Sequence, residues 1–386
     1  MKIGLLGFGT VGEGVYQLAQ THPELEIVTV FRRKDGEIPG CTVTHDFSQI
    51  LNDPEIDTVV EVIGGIEHAS EYVLAALRAG KNVVTANKAL LAAKYDELLA
   101  AAKTSGAKFR ASAAVGGSIG WLANLERAKR IQEIDHIHGI FNGTCNYMLD
   151  LMTRQQLDYQ QVLRQAQDLG YAEADPSADV DGLDTAAKLT ISANIAFGIS
   201  LHHESVPVSG ISQINSADIT TFTERGYVCK LLGTADKFAD RIEAYVQPTL
   251  VRSSDATAAV HTNYNLAEFS GSATGTQSFG GQGAGRYPTA YNVLQDLCDL
   301  LAGKSFHTDT VPQSEVTAEN STQLHYYLRG DSTDLADWPA AEISAHWDQG
   351  ILTTAQPVAK MHQWLKAHRE VFAAALPRDF QVHEMK

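Results

Sequence analysis

Cysteine is scarce in this 386-residue chain, with Cys41, Cys145, Cys229 and Cys298 far apart and no CxxC pair among them. That distribution argues against a disulfide framework or a zinc site and fits a reducing compartment. Basic residues are the minority charge, 30 against 46 acidic, for a formal net charge of −16. The balance argues against a binder of nucleic-acid phosphates or of anionic membrane surfaces. No run of about eighteen apolar residues occurs, and the opening stretch shows no signal-type cleavage pattern. A cytoplasmic protein is the expectation. What is present is ordinary: 44% hydrophobic and 20% charged residues, enough for a large core, over a length that suits two or three packed domains.

The first chemistry-bearing segment opens the chain. Residues 2–7 read as a short buried strand. Gly7-Phe8-Gly9-Thr10-Val11-Gly12 then supplies GxGxxG, and a helical pattern follows through Val15, Leu18 and Ala19. Glycines serve where the chain turns sharply, where backbone approaches a pyrophosphate and where helix packs on strand. The helix start offers free N–H groups and a positive dipole end to that anion. The strand-to-helix context turns a weak motif into a dinucleotide-binding signal. The next strand, around Ile27–Phe31, ends in Arg32-Arg33-Lys34 where an acidic residue would suit a ribose 2′-hydroxyl. Arginine suits a 2′-phosphate, which favours NADP and leaves NAD open; the competing reading is a solvated loop.

Alternation continues. Residues 57–63 read as a strand closing at Gly64-Gly65, a helix covers about 70–78, and Asn82–Thr85 forms another strand leading to Lys88. Repeated strand–helix alternation implies a parallel sheet with right-handed crossovers. The fold class expected is α/β: a Rossmann-type dinucleotide-binding domain plus a mixed α/β substrate and dimerisation domain.

Further segments make the pattern specific: Thr85-Ala86-Asn87-Lys88, Asn142-Gly143-Thr144-Cys145-Asn146-Tyr147, Gly170-Tyr171-Ala172-Glu173-Ala174-Asp175-Pro176, and Asp179 through Asp184 to Lys188. Gly281-Gln282-Gly283-Ala284-Gly285 and Asp296-Leu297 follow. In this order, over about residues 1–320, they resemble homoserine dehydrogenase. The resemblance implies an NAD(P)-dependent interconversion of L-aspartate 4-semialdehyde and L-homoserine, on the way to threonine and methionine, by a homodimer.

It also implies roles. Lys188 matches the family's proposed acid/base, and Asp184 the residue that binds and orients substrate. Their spacing of four in a helical pattern sets them on one face, which elsewhere would read as a surface ion pair. Glu173 matches an acid between substrate and nicotinamide, with Thr144, Asp179 and Lys88 as further substrate residues. Asp175 shapes the turn before Pro176. Cofactor contacts are implied for Gly7 to Gly12, Arg32, Arg33, Gly64, Thr85, Lys88, Gly170, Glu173 and Gly283. Cys145 reads as packing, and the histidines, His202-His203 included, as surface residues without a metal role.

Two departures stand out. Family members often carry a glutamate ahead of a Val-x-Gly-x-Ile segment, and it joins backbone carbonyls in holding sodium. Here Ser112 stands at that acid, so carbonyls of Val115, Gly117 and Ile119 would lack their anionic partner, and a hard cation draws much of its binding from carboxylates. The chain end is the other departure, since many members finish with a βαββαβ regulatory ACT domain. The division expected is 1–130 for the dinucleotide, 131–280 for substrate and dimerisation, 281–320 as a return segment, and 321–386 as a short tail with a degenerate ACT-like character. Rival readings are a catalytically silent NADP-binding sensor and a dehydrogenase for a related amino-acid-derived carbonyl.

Overall fold

The computed structural model describes residues 1–305, 315–331 and 333–381. It divides into two compact units, the first made of Met1–Ile134, Thr190–His203 and Gly281–Val316, the second of Asp135–Leu189, Glu204–Gly280 and Thr317–Lys386. Residues expected as a separate tail thus count with the second unit.

The first unit holds a six-stranded parallel sheet. Its strands are β1 (Lys2–Leu6), β2 (Glu26–Phe31), β3 (Thr42–Thr44), β4 (Thr58–Glu61), β5 (Asn82–Thr85) and β6 (Phe109–Arg110), in the order β3-β2-β1-β4-β5-β6. Valine and isoleucine dominate the central strands, because a parallel sheet buries both faces. The order reverses between β1 and β4, the crevice where open α/β sheets take ligands. Helix Thr10–Ala19 covers one face beside helix Arg286–Leu301, with Val15, Ala290, Val293 and Leu297 in a shared core. The sequence segment near 281–301 therefore returns to the first sheet. Helix Lys88–Ser105 begins where the Asn87 side chain accepts from Leu90 N at 3.0 Å and ends at left-handed Gly106. These are ordinary start and stop devices.

Nearly all of the second sheet lies in the second unit. Its nine strands run, in spatial order, Gly275–Gln282, Tyr264–Gly271, Ile134–Ile140, Tyr227–Lys237, Ile242–Arg252, Phe372–Ala375, Tyr326–Arg329, Gly350–Thr353 and Ile343–Trp347. Four of these come from the region expected as a tail. Phe372–Ala375 lies parallel to Ile242–Arg252 through Thr249 and Ala375, and antiparallel to Tyr326–Arg329. Helix Val358–Ala367 ends before Phe372–Ala375, which is a buried strand. A run of three alanines after phenylalanine is ambiguous by periodicity, and the place between Ile242–Arg252 and Tyr326–Arg329 decides it.

One buried charge in this unit yields a stability prediction. Lys230 is 1% exposed and donates to Asn146 Oδ1 at 2.9 Å and Val260 O at 2.6 Å. Burial, partly countered by Asp150, brings its pKa down to about 8 from an ordinary 10.5. Between those values the unfolded chain binds the extra proton, so stability rises with pH across the window. Urea melts from pH 7.5 to 10.5 should show that rise in the native chain and a flatter profile in Lys230→Met; equal slopes would remove Lys230 as the source.

Candidate active site

The glycine-rich turn is built by steric necessity. A Cβ on Gly12 would lie 2.2 Å from Gly7 O, and one on Gly7 would lie 2.8 Å from Val62 O. Gly9 is the opposite case, since a Cβ there would meet nothing within 4 Å. The turn is closed underneath and open on top, as backbone approach of a pyrophosphate requires. Glu13 N already bonds Gly9 O at 2.9 Å, and Phe8, Thr10 and Val11 flank the helix start.

Arg32 follows β2 with its guanidinium 5.6 Å from the Phe8 ring, and Nη2 donates to Asp35 O at 2.9 Å. Among the described residues its buried Nε has no partner. Arg33 is exposed. An open glycine turn and an unsatisfied guanidinium N–H both fit a phosphorylated dinucleotide.

The ends of β4 and β5 carry a residue the sequence reading missed. Glu61 is fully buried and accepts from Ile63 N at 2.8 Å, Gly64 N at 3.1 Å and Thr85 Oγ1 at 2.5 Å. Burial holds its pKa above the usual carboxylate range, against these four-sided hydrogen bonds that include Asn87 Nδ2. Glu61 thereby fixes the Gly64 turn to Thr85 and to the start of the Lys88 helix. Its signal was a lone acid inside Val59-Val60-Glu61-Val62-Ile63, since an unpaired buried carboxylate is costly. Lys88 opens its helix, where the dipole disfavours a cation. Its position therefore calls for another reason than helix stability.

In the second unit, several expected substrate residues come together around one asparagine. Asn142 follows strand Ile134–Ile140 and caps helix Gly143–Gln155, its Oδ1 accepting from Cys145 N at 2.8 Å. Its Nδ2 donates to Asp179 Oδ1 at 2.6 Å and to Asp184 Oδ2 at 2.9 Å. Lys188 Nζ lies 2.8 Å from Asp184 Oδ2 and donates to Phe141 O at 2.7 Å. Asp184 and Lys188 are 8% and 12% exposed at their side chains, so the pair is not the solvated bridge the bare spacing allowed. Asp184 also sits in the first turn of helix Leu183–Phe197, where its charge suits the dipole. The geometry joins two carboxylates and one ammonium through an amide.

The remaining expected residues are arranged around this cluster. Thr144 Oγ1 donates to Tyr171 O at 2.7 Å, tying the Gly170–Glu173 turn to the helix. Gly170 has φ +73°, and Glu173 is exposed with its carbonyl bonded by Gln167 Nε2 at 3.1 Å. Asp175 Oδ1 accepts from Ser177 N at 3.1 Å and so shapes the turn. Burial pushes the Cys145 thiol far up, and its Sγ bonds Asp179 O at 3.2 Å, a packing role. His202 and His203 are exposed, and no group of three metal-ligating side chains occurs among the described residues. Around the expected cation loop, Gly117 O accepts from the Asn292 amide, and Gly117 packs against Gln282 and Gly283.

A parallel sheet with a glycine-rich phosphate turn, and a buried lysine–aspartate pair on the other unit, define the class of nicotinamide-nucleotide-dependent oxidoreductases. Comparison with known proteins supplies the family. Residues 7–112 match the family model "Homoserine dehydrogenase, NAD binding domain", and residues 121–298 match "Homoserine dehydrogenase". The chain is 36% identical over 351 residues to the homoserine dehydrogenase of Bacillus subtilis, covering 84% of this chain and 81% of that one. It is 37% identical over 374 residues to that of Corynebacterium glutamicum, covering 90% and 84%. A solved homoserine dehydrogenase from Thiobacillus denitrificans superposes with a TM-score of 0.87 at 33% identity over 98% of each chain. The chain belongs to the homoserine dehydrogenase family.

Proposed function

We propose that this chain interconverts L-aspartate 4-semialdehyde and L-homoserine with a nicotinamide dinucleotide, NADP in preference to NAD, as a step toward threonine and methionine. It works as a cytoplasmic homodimer. The observation that carries the reading is the Lys188–Asp184–Asn142–Asp179 cluster, which gathers a proton donor and anionic groups in one shielded place. When bound, the nicotinamide supplies or accepts the hydride.

Reduction of an aldehyde builds negative charge on its oxygen. The Lys188 ammonium can hydrogen-bond that oxygen and hand it a proton. In the other direction the neutral amine takes the hydroxyl proton. Asp184, 2.8 Å from Nζ, holds the Lys188 ammonium in place. Asp179 and Glu173 are suited to the substrate's α-ammonium. Asn142 positions both Asp179 and Asp184, and Thr144 holds the Glu173 turn. On the first unit, the glycine turn and Gly64 carry the dinucleotide phosphates. Arg32 and Arg33 take the 2′-phosphate, and Thr85, Lys88 and Gly283 border the nicotinamide end.

Nicotinamide absorbance with aspartate semialdehyde, NADPH against NADH, tests the reading at once. Turnover is expected with NADPH ahead; tight cofactor binding without turnover would point instead to a sensor or to another carbonyl. Replacing Arg32 and Arg33 together with alanine should raise the KM for NADPH far more than that for NADH. Equal losses would take the 2′-phosphate away from them.

A further inference from the structure

Arg110, the last residue of β6, is 2% exposed at its side chain and has no part in the proposed reaction. Its Nε donates to Asp296 Oδ1 at 2.8 Å, Nη1 lies 3.3 Å from Glu126 Oε2, and Nη2 lies 2.9 Å from Asp299 Oδ2. Asp296 is equally buried and is held from the neighbouring loop at both oxygens: Ser112 N reaches Oδ2 at 2.7 Å and Ser112 Oγ reaches Oδ1 at 2.6 Å. This is the loop that, in the family pattern, would hold an alkali-metal ion through an acid at position 112 and the carbonyls of Val115, Gly117 and Ile119.

The residues present do not fit that ion. Position 112 offers a hydroxyl that is already donating. The nearest carboxylate, Asp296, has both oxygens engaged. Gly117 O, one of three carbonyls needed, is taken by the Asn292 amide. A permanent guanidinium close to Ser112, 3.5 Å from its Oγ, repels a second cation and already supplies positive charge to the acids. The loop still has a task, because Ser118 N and Oγ bond Gln282 O at 3.1 and 3.2 Å, beside Gly283.

We propose that Arg110 is a covalently attached substitute for an alkali-metal ion: through Asp296 it fixes the 112–119 loop, and the loop in turn fixes Gln282 and Gly283. The chain consequently needs neither sodium nor potassium for stability or cofactor binding. Arg110 is a positioning residue, since it acts through Asp296 and the loop.

Thermal unfolding and NADPH titration of the full chain, in choline chloride replaced stepwise by sodium or potassium chloride at fixed ionic strength, test the first part. Flat midpoints and flat affinity are expected; a saturable rise with either ion would overturn the proposal. Unfolding needs no turnover, so this result stands apart from the fate of the proposed reaction. For the second part, Arg110→Gln should weaken NADPH about tenfold at a temperature where the protein is folded, and Arg110→Lys should restore most of the loss. Should the glutamine variant not fold, Arg110→Lys against the native chain reads the same quantity, with a smaller loss of the same sign expected. Unchanged NADPH affinity in the variants that fold would refute the positioning role.

Discussion

Lys188→Ala is expected to lower kcat by about 100- to 10,000-fold, the range a positioned proton donor supplies, while cofactor affinity survives. The residue touches Asp184 and Phe141 O on the second unit, whereas the Gly7–Gly12 turn proposed to meet the dinucleotide is on the first. Removing the ammonium takes from Asp184 its ion-pair partner at 2.8 Å, beside Asp179 on the same Asn142 amide. Stability should therefore fall as well, by about 3–5 kcal/mol, as when one partner of a buried pair is deleted. Steady-state kinetics must be run well below the lowered melting temperature, so that lost turnover is not lost protein. Near-native turnover under those conditions would remove lysine from the proton transfer.

Gly12→Ala should act at the other end of the reaction. The added methyl would sit 2.2 Å from Gly7 O, a backbone atom that cannot swing aside as a side chain would. The helix start must shift away from the turn, and the N–H groups proposed to meet the pyrophosphate shift with it. Cofactor dissociation should rise at least about 100-fold, close to 2.7 kcal/mol, with the second-unit sheet intact by circular dichroism. Fluorescence titration with the reduced cofactor reads the change. A native dissociation constant would mean that the turn relaxes at no cost to the phosphates.

The parts legible in the sequence were those encoded locally. The Gly7–Gly12 turn carries its strand-to-helix context within a dozen residues, and Asp184 with Lys188 shares one helix face by spacing alone. What stayed hidden depends on partners far along the chain. Asn142 became a centre only because Asp179 and Asp184 fold back to it, 37 and 42 residues on. Arg110 and Asp296 meet across 186 residues. Glu61 sat in plain view, but nothing nearby announced that its bonds would run to Gly64 and Thr85. The short segment Phe372–Ala375 lacks a period long enough to distinguish strand from helix, and its neighbours in the sheet supply the answer.

That segment has a consequence for how the chain is made. Phe372–Ala375 is inserted between Ile242–Arg252 and Tyr326–Arg329, so the nine-stranded sheet receives an interior strand after all its other strands have been synthesised. During vectorial synthesis the Thr249 end of Ile242–Arg252 waits as an open edge, while Val246 is already bonded by Pro207 and Ser209. Such an intermediate is open to mispairing with another nascent chain, and chaperones that shield exposed strands would have their greatest influence on yield in that interval.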